Sequence, residues 1–241
     1  MWGFAGPLRG VLRRRNFTDL VTGACIVLYV ASLVVDPGAV LQPRGFNVFS
    51  PSGRALVLLG ATGARIWDAG LWWTVLTAIY LHGGIFHILF NVLWVRQLGP
   101  AVQEIYGPAR LAVIFTVSGV AGFVLSNVVG VGLTVGASGS IFGLLGAIVA
   151  YGQRRGGTFG AMVLRQYGQW AVILFIFGLL PGTGVNNWAH GGGFAGGFAA
   201  GWLLALAERR HETAIDSLLA AAAVVVTLIA FGLSLWTALG G

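Results

Sequence analysis

Apolar residues fall along this chain in long runs, and the runs set the elements. Helical spans are predicted over Leu20 to Val35 and over about 83–100, 109–129, 138–153, 168–182, 188–207 and 216–238, seven in all. Each approaches the ~20 residues that a helix needs to cross a bilayer. Residues 36–81 break the pattern. Pro37, Pro43 and Pro51, with Arg44, Arg54 and Arg65, argue against one spanning helix there, and Trp67, Trp72 and Trp73 suit a segment lying at the membrane interface. No internal repeat relates the spans.

Composition sharpens this picture. Of 241 residues 57% are hydrophobic and only 9% charged, where a soluble domain carries roughly 25% charged residues. The chain is therefore read as an all-α polytopic membrane protein. Its basic balance comes from fourteen arginines and no lysine, clustered between apolar spans. Orientation in a bilayer produces that distribution, so nucleic acid is not an expected partner. The single Cys25 lies inside an apolar span and has no internal disulfide partner. Arg9, Arg13, Arg14 and Arg15 give the start of the chain the look of a signal peptide, but Asp19 and an apolar run of full spanning length favour a retained helix.

Charge also sets an expected topology. With the N-terminus cytoplasmic, the inner segments hold Arg9, Arg13, Arg14, Arg15, Arg96, Arg110, Arg154, Arg155, Arg165, Arg209 and Arg210, and the outer ones Arg44, Arg54 and Arg65, eleven against three. The excess predicts the N-terminus inside and the C-terminus outside. Ser138 precedes Arg154 by sixteen residues, about 24 Å along a helix. His190 precedes Glu208 by eighteen, about 27 Å by the same rise. In a hydrocarbon core about 30 Å thick, both residues fall at similar depth near the outer face.

That depth matters because both belong to glycine-rich apolar segments, where a polar side chain is costly unless it has work or a partner. Gly136-Ala137-Ser138-Gly139-Ser140 opens one segment; Ala189-His190-Gly191-Gly192-Gly193, with Gly196 and Gly197, forms the other. Serine is a poor nucleophile until a base takes its proton, and histidine is the usual base. Phe142 lies one turn after Ser138, on the face that can meet an imidazole. A competing reading makes Ser138 a small residue that lets helices approach, as Gly139, Gly143 and Gly146 do, and Ser140 fits that reading still better. The serine also lacks the glycine two residues later of a soluble nucleophile elbow.

A third group is His82-Gly83-Gly84, then His87 and Asn91, four residues apart and so on one helical face. His87 and Asn91 can donate hydrogen bonds to a developing oxyanion, together with the backbone N–H of Ser138. Zinc is the rival use of His82, His87 and His190, but no acidic residue or second cysteine joins them and Glu104 falls at the cytoplasmic end. His211, within Glu208-Arg209-Arg210-His211-Glu212, reads as a solvated surface residue. Nothing signals a metal or organic cofactor.

Leu81-His82-Gly83-Gly84 with His87 and Asn91, then Gly136-Ala137-Ser138-Gly139, then Ala189-His190 with Gly193 and Gly197, occur in that order in spans two, four and six. In this the chain resembles the rhomboid intramembrane serine proteases over about residues 17–208. The resemblance implies Ser138 as nucleophile, His190 as general base of a dyad, His87 and Asn91 as oxyanion donors, and His82 as a structural or water-holding residue. It implies a six-helix core over 17–208, with 36–81 as a long first loop at the outer interface. Residues 1–16 then form a basic cytoplasmic segment, and 209–241 a cytoplasmic linker and an added seventh helix. Two departures stand out. Trp73-Thr74 replaces the family's Trp-Arg, whose arginine helps hold the first loop, and Gly60-Ala61-Thr62-Gly63 differs from its Gly-Ala-Asn pattern.

The implied reaction is hydrolysis of peptide bonds in or near transmembrane segments. The expected substrates are single-span membrane proteins whose helices unwind near the cut, reached from the bilayer between the second and fifth spans. Trp170, Phe175 and Phe177 are candidates for that gate, or else plain lipid-facing aromatics. The expected location is a plasma or bacterial inner membrane, with the oligomeric state left open. Two other classes compete: an inactive rhomboid-like protein that binds client membrane proteins, which would normally lack the serine or the histidine, and a small-molecule transporter, which would normally show repeated halves or intramembrane charge.

Overall fold

Every predicted span is a helix in the computed structural model, which describes residues 16–40, 48–204 and 212–240. The long helices are α1 (Phe17–Val35), α2 (Ile85–Tyr106), α3 (Pro108–Val128), α4 (Ser138–Arg155), α5 (Gly157–Phe177), α6 (Asn187–Leu204) and α7 (Ala214–Ala238). Of these, α1, α2, α3, α5 and α7 are long and apolar enough to cross a membrane. Among the described residues the β-structure is one isolated bridge, Thr62 to Thr134. The protein is thus an all-α polytopic membrane protein. Residues 1–15 of the predicted basic segment 1–16, Arg44, and the run from Glu208 to His211 lie outside the described residues.

The boundaries of α2 and α5 differ most from those read off hydropathy. Helix α2 continues through Pro100 to Tyr106; a proline removes one backbone donor but does not by itself end a helix whose neighbours hold it. Helix α5 begins at Gly157, well before the predicted 168. The apolar run starts late because Arg165 and Gln166 precede it, yet neither is a helix breaker. The true stop lies at Gly156 and Gly157, both with positive φ (62° and 61°), which turn the chain straight from α4 into α5. Arg165, assigned above to an inner loop, therefore belongs to α5.

The centre of the bundle is α4, held between α3 and α6. A Cβ on Gly193 would run into the carbonyl oxygen of Gly139, one on Gly197 into Gly143, and one on Gly201 into Ala147. Three contacts four residues apart bring the two backbones together, the small-residue packing that helices use where no hydrophobic effect drives them together. On the other side a Cβ on Gly143 would meet the Ser118 side chain of α3.

Polar ties define the two ends of the bundle. The Tyr106 hydroxyl, at the end of α2, donates to the carbonyls of Ala147 (2.9 Å) and Gly201 (3.3 Å). Arg96 pairs with Asp19 at 3.2 Å. Arg154 lies over the Trp202 ring, 4.9 Å from its centroid. Arg110, counted above among the inner-segment arginines, is buried and makes a two-pronged pair with Asp216, both contacts 3.0 Å. The Glu212 carboxylate accepts from the N–H groups of Ala109 (2.7 Å) and Arg110 (3.1 Å), capping α3 and fixing the start of α7 beside it. The N-termini of α4 and α6, with Ser138 and His190, lie at the opposite end.

Residues 48–80 form short helices Gly53–Leu58, Ala64–Asp68 and Thr74–Thr77 and a 3₁₀ turn, Ala78–Tyr80. With threonine at 74, hydroxyls hold this loop. Thr74 and Thr62 are hydrogen-bonded at 3.1 Å, and Asn127 at the end of α3 donates to Thr62 Oγ1 at 3.0 Å. The backbones of Thr62 and Thr134 exchange both bonds, and Asn186 donates to Thr134 Oγ1 at 3.0 Å.

Candidate active site

Ser138 is the first residue of α4 and is half-buried. Its backbone N–H is one of the first-turn donors that a helix leaves unused. The loop before it is pinned by the Gly136 N–H, which donates to the Ala78 carbonyl at 2.9 Å. Gly136 has φ of 127°, and a Cβ there would strike Nε2 and Cε1 of His87. Glycine is what lets the loop pass directly beneath that imidazole.

His87 has one ring nitrogen occupied. The Gly83 N–H donates to Nδ1 at 3.3 Å, so the proton of the neutral ring sits on Nε2, the nitrogen next to Gly136. Asn91, one turn further along α2, donates from Nδ2 to the His87 carbonyl at 2.7 Å, which leaves its second amide N–H. His82 is fully buried with its ring edge-on to His87, centroids 5.1 Å apart.

His190 is 5% exposed, in the first turn of α6. Phe142 stacks on it, ring centroids 4.1 Å apart and planes 16° from parallel. Its Nδ1 lies 3.1 Å from Oδ1 of Asn187. Gly139 and Gly193 pass in contact one residue beyond Ser138 and three beyond His190, and a Cβ on Gly139 would also touch the Ala189 carbonyl. No hydrogen bond joins Ser138 to His190 among the described residues; catalytic contacts commonly tighten only when substrate binds. Ser140 is buried and faces Gly119 of α3, on the packing side of the helix.

The fold thus gathers Ser138, His190, Phe142, Gly136, Gly139, Gly193, His82, His87 and Asn91 at one end of the bundle. Gly197 lies one turn deeper, against Gly143. Among the described residues no three His, Cys, Asp or Glu side chains are grouped to hold a metal ion. Of the gate candidates, Trp170 meets Trp94 of α2 edge-to-face at 5.2 Å, while Phe175 and Phe177 are exposed.

Sequence reasoning passed over Asn186 and Asn187. Asn186 caps α6 by accepting the Ala189 N–H at 3.1 Å and donates to Ser126 Oγ at 2.6 Å. Asn187 touches His190. The available signal was two asparagines opening an apolar segment, one of them three residues before the histidine and so on its helical face.

The protein is a helical membrane bundle with a serine at the start of one helix and an imidazole in the first turn of another, the two helices packed through glycines. The sequence profile of the rhomboid domain matches residues 69–207, more than half of the chain, and the chain belongs to the rhomboid family. It is 37% identical over 165 residues to Rhomboid protease GluP of Bacillus subtilis (strain 168), covering 66% of this chain and 31% of that protein. It is 33% identical over 171 residues to RHOMBOID-like protein 1 of Arabidopsis thaliana, covering 67% and 42%. With Rhomboid-like protease 3 of Toxoplasma gondii it shares 29% over 182 residues, 74% and 65%. The chain therefore spans less than two thirds of each of these relatives.

Proposed function

We propose that the protein is an intramembrane serine protease working through Ser138 and His190. The observation that carries this reading is the shared end of α4 and α6: a half-buried serine heads one helix, and a histidine clamped by Phe142 and Asn187 heads the other, across the Gly139–Gly193 contact.

In this mechanism Ser138 Oγ attacks the carbonyl carbon of a substrate peptide bond while His190 Nε2 takes its proton. Negative charge gathers on the carbonyl oxygen. The His87 Nε2–H, the free amide N–H of Asn91 and the Ser138 backbone N–H are the donors for it. His190 then passes its proton to the departing amine. Water, activated by the same imidazole, releases the acyl group from Ser138.

The substrates are single-span membrane proteins whose helices are weakened near the cut, since a helical peptide bond is shielded by its own hydrogen bonds. They approach from the bilayer between α2 and α5, past the Trp94–Trp170 contact. The arginine-rich end faces the cytoplasm, with the N-terminus inside, the C-terminus outside and the site in the outer half of a bacterial inner membrane. Arg110, Arg154 and Arg155 at the end remote from Ser138 support that orientation. The test is cleavage of a generic transmembrane substrate by the purified protein in detergent. Loss of cleavage in both Ser138→Ala and His190→Ala is expected, and full activity of Ser138→Ala overturns the assignment.

A further inference from the structure

Asn187 connects three things that the reaction above treats separately. Its Nδ2 donates to the carbonyl of Phe175 at 3.1 Å, in the last turn of α5. A carbonyl only accepts, so the amide's orientation is fixed by that bond. Oδ1 must then be the atom facing His190 Nδ1 at 3.1 Å. An amide oxygen also only accepts, so Nδ1 carries the imidazole proton and Nε2 is left with its lone pair. The close approach of the end of α5 depends on Gly178, where a Cβ would collide with Oδ1 of Asn187 and with Val185.

We infer that Asn187 is a positioning residue: it holds the general base in the tautomer whose Nε2 can accept the serine proton, and it ties that base to the end of α5. Phe142 fixes the plane of the ring and Asn187 fixes its rotation within that plane. A flat stack alone leaves the imidazole free to turn and present a protonated nitrogen. The tie makes the orientation of His190 depend on where the end of α5 sits. This role rests on the protease reading, although the contact itself can be read without any turnover.

The test uses the full chain labelled with ¹⁵N-histidine, in detergent, as wild type, Asn187→Ala and Asn187→Asp. Histidine ¹⁵N spectra, with His190 assigned through a His190→Gln control, report which ring nitrogen is protonated. Wild type is expected to show Nδ1–H, Asn187→Ala to lose that preference, and Asn187→Asp to keep it, because a carboxylate still accepts from Nδ1 while losing the bond to Phe175. In cleavage assays Asn187→Ala is expected to lower kcat on the order of 10-fold or more with KM within about 3-fold, and Asn187→Asp to restore most of kcat. A wild-type ring protonated on Nε2, or Asn187→Ala with unchanged tautomer and kcat, overturns the proposal. So does equal damage in both variants with the tautomer intact, which is the mark of a purely structural cap. A wild-type chain that shows Nδ1–H but neither cleaves nor reacts with a fluorophosphonate sinks the protease reading, and the catalytic role with it, leaving only the contact.

Discussion

The ring of Phe142 lies flat on the imidazole of His190, 4.1 Å from centroid to centroid, and both side chains are almost fully buried. The stack joins α4 to α6 one turn inside the helix start that carries Ser138. It limits His190 to one plane, within which the Asn187 contact at 3.1 Å sets the rotation of the ring. Phe142→Tyr keeps the face of the ring and is expected to retain most activity. Phe142→Ala removes the face and opens a cavity, and kcat is expected to fall on the order of 10-fold with a lower thermal midpoint. Full activity in Phe142→Ala shows that the stack only packs.

The proposed oxyanion donors, His87 and Asn91, make separate predictions. His87 presents Nε2–H because Nδ1 is held by Gly83, and Asn91 has one amide N–H in use and one left. Removing a single donor from such a site costs on the order of 10²-fold in kcat. Asn91→Ala and His87→Ala are each expected to show about that loss in steady-state cleavage, with KM little changed because the charge exists only in the transition state. Unchanged turnover in Asn91→Ala reduces it to a residue that ties off the His87 carbonyl.

Much of this arrangement could be read along the chain. Apolar runs give the seven helices, and Phe142 falls on the Ser138 face because four residues make about one turn. The glycines at 139, 143, 193 and 197 announce two faces built for close approach. What stayed hidden depends on partners distant in sequence. Asp216 gives no local sign that it will meet Arg110, 106 residues away. Thr74 shows nothing of its bond to Thr62 or of the Asn127 behind it, so the Trp73-Thr74 departure reads as a loss although hydroxyl bonds tie the loop there. The start of α5 was missed for a different reason: hydropathy marks where a helix meets lipid, and the helix itself begins at a glycine turn outside that stretch. Asn187 was missed because an asparagine at a helix start looks like a cap, and Asn186 already fills that role.

Glycine contacts between α4 and α6 lead to a stability prediction. Gly197 meets the backbone of Gly143 with no room for a methyl group. Gly197→Ala must push the two helices apart, at a cost of about 1–3 kcal/mol for overpacking. The site lies at the same seam, so activity is expected to fall together with the thermal midpoint. Gly191→Ala is the control, because a Cβ there has no neighbour within 4 Å; it is expected to leave the midpoint unchanged. Equal midpoints for the two variants would show that the seam is looser than these contacts require.

The buried pair Arg110–Asp216 tests how the seventh helix is held. Both side chains are nearly sealed, at 4% and 10% exposure, and Asp216 also accepts from the Thr213 N–H at 2.8 Å. Charges brought out of water gain little net stability from each other, but a lone survivor is costly. Asp216→Ala removes the one carboxylate that the Arg110 guanidinium grips on α7, leaving the buried charge with the Tyr106 carbonyl at 3.4 Å among its contacts, and is expected to cost about 3 kcal/mol, read as a clear fall in thermal midpoint and faster protease nicking near residue 212. The double variant Arg110→Met with Asp216→Leu removes both charges and is expected to recover most of that loss. Recovery of stability without recovery of cleavage would mean that the ion pair sets where α7 sits against the first loop, which it touches through Phe231 and Tyr80, ring centroids 6.1 Å apart. If the double variant is no more stable than Asp216→Ala, the pair holds α7 by geometry that a hydrophobic contact cannot replace.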